Sequence, residues 1–204
     1  MGEMINPKQI TNFNRTEAEL QEFMLFCIMV HGKKAEVQAV KLEYFLTYLC
    51  SYTGCELPFQ AVNIALNDEI ESGEFGGIQA DNMLLYALKK FGLGQYERLC
   101  RSIDDLVALP DIREVTVEQL ETCFAVGPKT ARFFVVHSRP NQQYAILDTH
   151  ILKWLALNGV PAVPKDTPQG KWYYHYENIF LTFVKNSGLS VAEFDLNIWK
   201  NFAI

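Results

Sequence analysis

A chain of 204 residues that is 49% hydrophobic and 21% charged is long enough to bury a core of its own, as one large domain or two small halves. Its 18 basic and 24 acidic side chains leave a net charge of -6, which excludes a surface sheathed in positive charge; any nucleic-acid role must rest on a local patch. No stretch approaches the roughly 18 consecutive apolar residues of a membrane span, and MGEMINPKQITNF lacks the charged-then-apolar order of a secretion signal, so no membrane partner and a cytoplasmic location are expected. Five scattered cysteines (Cys27, Cys50, Cys55, Cys100, Cys123) form no CxxC pair and read as reduced, mostly buried thiols.

The periodicity is helical from the start. Leu20, Phe23, Met24, Cys27, Ile28 and Val30 recur at three-and-four spacing, with Thr16 placed to cap the helix. A break at His31-Gly32 leads into a second helix, AEVQAVKLEYFLTYLC, with Val37, Val40, Leu42, Phe45 and Leu49 on its apolar stripe. A turn at TGCELP precedes FQAVNIALNDEI, and the glycines of ESGEFGG mark a loop. Asp81 is expected to cap NMLLYALKKF, and a further helix covers roughly 95–109 before Pro110. Three prolines, Pro161, Pro164 and Pro168, make 160–169 a loop. KWYYHYENIFLTFVKNSG then reads as an aromatic-rich helix burying one face, and SVAEFDLNIWKNF as a final helix capped by Ser190. FFVVH is β-prone in propensity, but its neighbours argue helix.

The densest signals lie between Thr116 and Lys153. Thr116 caps a short helix ending near Cys123, and a tight turn with Gly127 delivers the chain into a second helix with Pro128 at its first position, where a missing N–H costs nothing. Such a helix start offers free backbone N–H groups and the positive end of the macrodipole, an anion site suited to a phosphate. Lys129 lies in the first turn, where the dipole disfavours an ammonium and favours the neutral amine that a nucleophile must be. Asp148 follows nineteen residues on, ahead of the apolar run ILKWLAL, placed as an N-cap or at the mouth of a cleft. An amine and a carboxylate are the pair needed to break an N-glycosidic bond: the carboxylate stabilises a cationic sugar and the amine captures C1′ as a Schiff base.

FAVGPKTA, with AILDTH downstream, resembles the helix-hairpin-helix and Gly/Pro-Asp signature of the base-excision DNA glycosylases. ELQEFMLFCIMVHGKKA, AILDTHIL and FDLNIWKNF are similar to segments of its short prokaryotic 8-oxoguanine DNA glycosylase/AP lyases. Phe124 and Ala125 stand where the family pattern has proline and glycine, and the chain ends in Ile204 with only Lys200 near the place of the family's base-reading lysine. The resemblance implies an all-α fold of two helical lobes around a cleft with the hairpin at its mouth, in one domain over 1–204. The hairpin would cover about 116–139 and the catalytic aspartate segment about 144–155. It implies Lys129 as Schiff-base nucleophile, Asp148 as catalytic carboxylate, and Gly127, His150, Arg132 and His31 as DNA contacts. His31 would enter the duplex from the loop after the first helix. Phe133, on the same helix face as Lys129, and Trp199 are read either as base-pocket aromatics or as core. The backbone carbonyls of Glu121, Cys123 and Val126 would hold a monovalent cation, sodium or potassium. No other cofactor is expected, and no cysteine follows Cys123 to build an iron-sulfur cluster.

The expected activity is therefore excision of an oxidised purine, 8-oxoguanine first, from damaged double-stranded DNA by a monomer. The alternatives are a non-catalytic DNA-binding hairpin protein and a glycosylase for another damaged base. Lys129, Arg132, Arg139 and Lys153 against Asp148 give the segment a local positive balance, whereas DEIESGE at 68–74 reads as a face turned away from DNA.

Overall fold

The computed structural model describes residues 4–71 and 77–202; most of the loop expected at 71–77, the SGE end of the acidic run and Ile204 lie outside the described residues. Among the described residues the regular structure is helical, with ten α-helices and a 3-10 turn at Pro7–Gln9, and the β-prone FFVVH lies inside a helix. No described helix is long and apolar enough to cross a membrane. The chain divides into two compact units. One comprises residues up to Ile10 and Asn14–Val126; the other comprises Thr11–Phe13 and the chain from Gly127 onward.

In the first unit, α1 (Glu17–Met29) is closed at its start by a capping box between Thr16 and Glu19, and every residue from Leu20 to Met29 is buried. An all-round buried helix needs neighbours on every side. They are α2 (Ala35–Thr53), α3 (Pro58–Asn67) and α5 (Tyr96–Val107), with α4 (Met83–Lys90) packed on α2, α3 and α5. Gln21 serves this packing: its Oε1 accepts the Phe59 amide at 2.9 Å, satisfying one orphan donor at the start of α3.

Three local expectations shift. Val37 and Val40 are exposed, because the buried face of α2 runs instead through Gln38, Ala39, Leu42, Phe45, Leu46 and Leu49. Asn82, not Asp81, caps α4, its side chain accepting from Leu85 N at 2.8 Å. α3 stops at Asn67 because the next residues are extended: Glu69 pairs with Asn82, and Ile70 N donates to Asp81 O at 3.2 Å.

In the second unit, α7 (Pro128–Ser138), α8 (Thr149–Leu157), α9 (Lys171–Ser187) and α10 (Val191–Phe202) enclose a core that includes Val136, Leu147, Leu152, Tyr173, Phe180 and Ile198. α9 buries Tyr173 and Tyr176 while Trp172 and Tyr174 are exposed, the one-faced pattern its sequence suggests. Ser190 and Glu193 bond reciprocally at the start of α10.

Candidate active site

The path to Lys129 begins in the first unit. Thr116 and Gln119 form a capping box on α6 (Val117–Thr122), and the turn that follows carries Ala125 at φ 60. Ala125 occupies the place of the family pattern's glycine, so an L side chain here adopts a conformation that glycine takes without cost. α5 holds that turn in place: Arg98 donates to Ala125 O at 3.0 Å, Ser102 to Phe124 O at 2.8 Å, and Asp105 accepts the Phe124 amide at 2.6 Å. Arg101 lies 4.0 Å over the Phe124 ring. The chain passes into the second unit at Val126–Gly127, inside this turn.

Gly127 is the N-cap of α7 and Pro128 its first residue. With φ at -91 and open space where a Cβ would stand, neither backbone nor packing requires glycine there; its effect is to leave the helix start uncovered. Lys129 lies half-buried in the first turn.

Asp148 is the N-cap of α8. One carboxylate oxygen, Oδ1, accepts from His150 N at 2.9 Å and Ile151 N at 2.8 Å, which fixes the carboxylate's orientation. The chain reaching it, Tyr144–Leu147, is not part of a sheet, so its backbone groups need side-chain partners. α9 supplies most of them. Glu177 accepts Ala145 N at 2.9 Å; Tyr173 donates to Ala145 O at 2.7 Å and accepts Leu147 N at 3.2 Å; Thr167 donates to Leu147 O at 2.9 Å.

Arg132 departs from its expected role. It is 2% exposed and pairs with Glu177 at 2.8 Å, under the ring of Tyr173 at 4.5 Å, so its guanidinium is committed inside the unit instead of to a phosphate. This also removes one charge from the positive balance read along 129–153. The pair has a positioning consequence. Arg132 lies one helical turn after Lys129, and its partner Glu177 holds Ala145, three residues before Asp148; one buried ion pair thus connects the lysine's helix to the aspartate's segment.

Sequence reasoning missed three further groups. Asp195, on α10, is buried, and burial drives its carboxyl above the usual range. The hydrogen bond and charge of His137 oppose that shift. His137, on α7, is fully buried, with Nε2 3.3 Å from Asp195 Oδ2 and Nδ1 2.8 Å from Thr11 Oγ1. A signal was present in outline: Lys129, Phe133 and His137 share one face at spacings of four, as do Asp195 and Trp199. Nothing in the sequence indicates that these two faces meet.

Among the base-pocket candidates, Phe133 is partly buried and packs edge-on to His137, ring centres 4.9 Å apart, while Trp199 is half-buried on α10. His150 is half-buried at the second position of α8, and His31 is exposed after α1. Glu121, Cys123 and Val126 follow one another through the end of α6 and its turn, where Cys123 O accepts Val126 N at 3.1 Å. Three neutral carbonyl oxygens without a carboxylate form a donor set that suits a monovalent cation better than a transition metal. Among the described residues no group of three or more His, Cys, Asp or Glu side chains is placed to hold a metal. Burial pushes the thiol of Cys100 up to about 11 and raises those of Cys50 and Cys123, which makes them poor nucleophiles.

No protein-family model matches the chain. Its fold is similar to that of Methanocaldococcus jannaschii 8-oxoguanine DNA glycosylase, with a TM-score of 0.64 at 21% identity over 96% of this chain and 83% of that one. The M. jannaschii 8-oxoguanine glycosylase/lyase in complex with a 15mer DNA containing 8-oxoguanine matches with a TM-score of 0.63 at 21% identity, covering 94% of this chain and 84% of that one. The likeness is one of fold: the chain has the all-α architecture of a helical DNA glycosylase.

Proposed function

We propose that this chain is a DNA glycosylase with lyase activity that removes an oxidised purine, 8-oxoguanine first, from duplex DNA. The observation that carries the reading is a lysine in the first turn of α7 and a carboxylate capping α8, on two segments of one compact unit that the Arg132–Glu177 pair joins through Ala145 N. A purely binding protein has no evident need of that pair. The shared fold with two 8-oxoguanine glycosylase structures supports it.

In the proposed reaction the damaged nucleotide leaves the stack at a cost of a few kcal/mol, least where pairing is already weakened. Phe133 and Trp199 would flank the base. Asp148 Oδ2 would face the sugar and stabilise positive charge as the C1′–N bond breaks, the electron pair leaving with the base, which takes up a proton. The neutral Lys129 amine would then bond to C1′, and ring opening would give an imine. Loss of a C2′ proton expels the 3′ phosphate and nicks the strand. The uncovered N-terminus of α7 at Gly127 would receive a phosphate, with His150 beside it, and His31 would fill the space the base leaves. A monovalent cation held by the carbonyls of Glu121, Cys123 and Val126 would supply positive charge toward a phosphate. With few phosphate contacts and a net charge of -6, the protein would act as a monomer in the cytoplasm, with binding that depends only shallowly on salt.

Borohydride tests the reading directly. A covalent adduct is expected with 8-oxoguanine or abasic duplexes and is expected to vanish in Lys129→Gln; trapping that survives the substitution removes Lys129 from the mechanism. Lesion-indifferent binding with no adduct would identify a non-catalytic binder, and a panel of single-lesion duplexes separates 8-oxoguanine from other bases.

A further inference from the structure

A net charge of -6 obliges any DNA contact to rest on a local cationic patch, and with Arg132 committed to Glu177 the one read along 129–153 is thinned. A denser patch lies in the first unit, on the short loop between α4 and α5. Within four consecutive residues that loop receives three cations: Lys41 Nζ donates to Gly92 O at 2.6 Å, Lys33 Nζ to Leu93 O, and Arg98 Nη1 to Gln95 Oε1 at 2.8 Å. Arg98 is fixed a second time, its Nη2 donating to Ala125 O at 3.0 Å. Gly92 and Gly94, at φ 61 and 69, let the loop close on the two lysines; a Cβ would stand 3.4 Å from Lys41 Nζ at the first and 3.3 Å from Lys33 Nζ at the second.

Nothing in the packing calls for three charges here. A neutral amide or hydroxyl would satisfy the same carbonyls without gathering like charge. Among the described residues none of the three cations pairs with a carboxylate, and the acids of these segments, Glu36 and Glu97, are exposed. Burial, and then the charges of Lys41 and Arg98, holds the Lys33 ammonium below its usual range. All three side chains are half-buried and still reach the surface, and each has N–H donors to spare beyond the bonds that pin it. An anion arriving there meets heads that are already ordered.

We propose that Lys33, Lys41 and Arg98 form a phosphodiester-binding site through which the first unit grips the backbone of duplex DNA, separate from the helix start at Gly127. Exposed Lys34 and Lys90, next to Lys33 and two residues before Gly92, carry the charge beyond what one free anion needs, which favours a strand over an isolated phosphate. The inference rests on the DNA reading above and not on its chemistry.

Affinity for an undamaged duplex, measured by fluorescence anisotropy over a salt series, tests it. In Lys33→Gln with Lys41→Gln the slope of log affinity against log salt is expected to fall by about two units, and affinity at low salt by about tenfold. Lys41→Gln alone is expected to lower the slope by about one unit, and Lys41→Arg, which keeps the charge, to leave it near wild type. Lys34→Gln removes an exposed neighbour that makes no bond to the loop and is expected to lower the slope by less than Lys41→Gln does. A folded Lys41→Gln protein with the wild-type slope overturns the proposal, as does an equal loss in Lys34→Gln, which would mark general surface charge. Inorganic phosphate at constant ionic strength is expected to displace the duplex only weakly; displacement at micromolar concentration would identify a free-anion site and overturn the assignment to DNA. Borohydride trapping on the same proteins separates the two readings. A lowered slope without any adduct leaves the phosphodiester site and removes the enzyme, an adduct with an unchanged slope does the reverse, and a wild-type protein that binds no duplex overturns both.

Discussion

α1 and α7 are the most buried helices of their respective units, yet they are built on different terms. From Leu20 to Met29, α1 is surrounded by apolar side chains, and its ionisable member, Glu22, has its carboxyl pushed up to about 7, by burial first and then by Glu43 and Glu19, despite the attraction of Arg15. α7 buries Arg132 and His137 as well, but each meets a carboxylate from another helix, Glu177 on α9 and Asp195 on α10. Around α1 the first unit thus gains order chiefly from volume and shape, and around α7 the second gains it from directed polar contacts. The second is also where Lys129 and Asp148 lie. An apolar interior tolerates small slips of one helix against another, whereas a hydrogen-bonded ion pair has one geometry, which the proposed Lys129–Asp148 pair would need.

Substitutions can break this contrast, beginning with the ion pair. Arg132→Ala is expected to cost about 3–5 kcal/mol in urea unfolding, because Glu177 is left charged and buried. Arg132→Met with Glu177→Leu is expected to recover part of that stability but no activity, since Ala145 N loses its acceptor and the Asp148 segment its tie to α7. Full recovery of trapping in the double variant would show that the pair does not position the site.

Glu22 provides the next largest effect, with a sign opposite to that of a surface carboxylate. Its folded-state value is raised above the unfolded one, so its contribution to stability is fully present below the unfolded value and is lost as pH rises through about 7. The loss amounts to roughly 3 kcal/mol at alkaline pH by linkage. Glu22→Gln is accordingly expected to raise stability by about 2 kcal/mol at alkaline pH and to change little near pH 5, measured by urea melts at the two values.

Asp148 separates cap from chemistry. Asn caps as well as Asp, so Asp148→Asn should melt like wild type, whereas Asp148→Ala should lose about 1 kcal/mol; neither is expected to form an adduct at a measurable rate. The smallest effect is a gain. Ala125→Gly relieves a left-handed L residue in the turn after α6 and is expected to add up to about 1 kcal/mol with trapping unchanged.

Local rules made the helices legible, including the Thr116 and Ser190 caps, the Pro128 start and the fate of FFVVH. They failed where two signals stood side by side: Asp81 and Asn82 both suit an N-cap, and the register of the following helix chose Asn82. Val37 and Val40 fit the period of α2, but the period fixes spacing and not which face is covered. At the site, Lys129 and Asp148 could be named because one segment carries both. Arg132 was misread because a basic residue one turn from a candidate nucleophile looks like a phosphate contact until Glu177 is placed beside it. His137 and Asp195 were invisible for the same reason: their meaning lies in partners 126 and 58 residues away.

Thr11–Phe13 make the second unit discontinuous in sequence, and the Thr11 hydroxyl and Asn12 amide bond this segment to His137. Cutting between Val126 and Gly127 would therefore not release an intact C-terminal body: that fragment would lack the Thr11 hydroxyl and the Asn12 amide that bond to His137. A short peptide spanning residues 4–13, added back in trans, would be its natural complement.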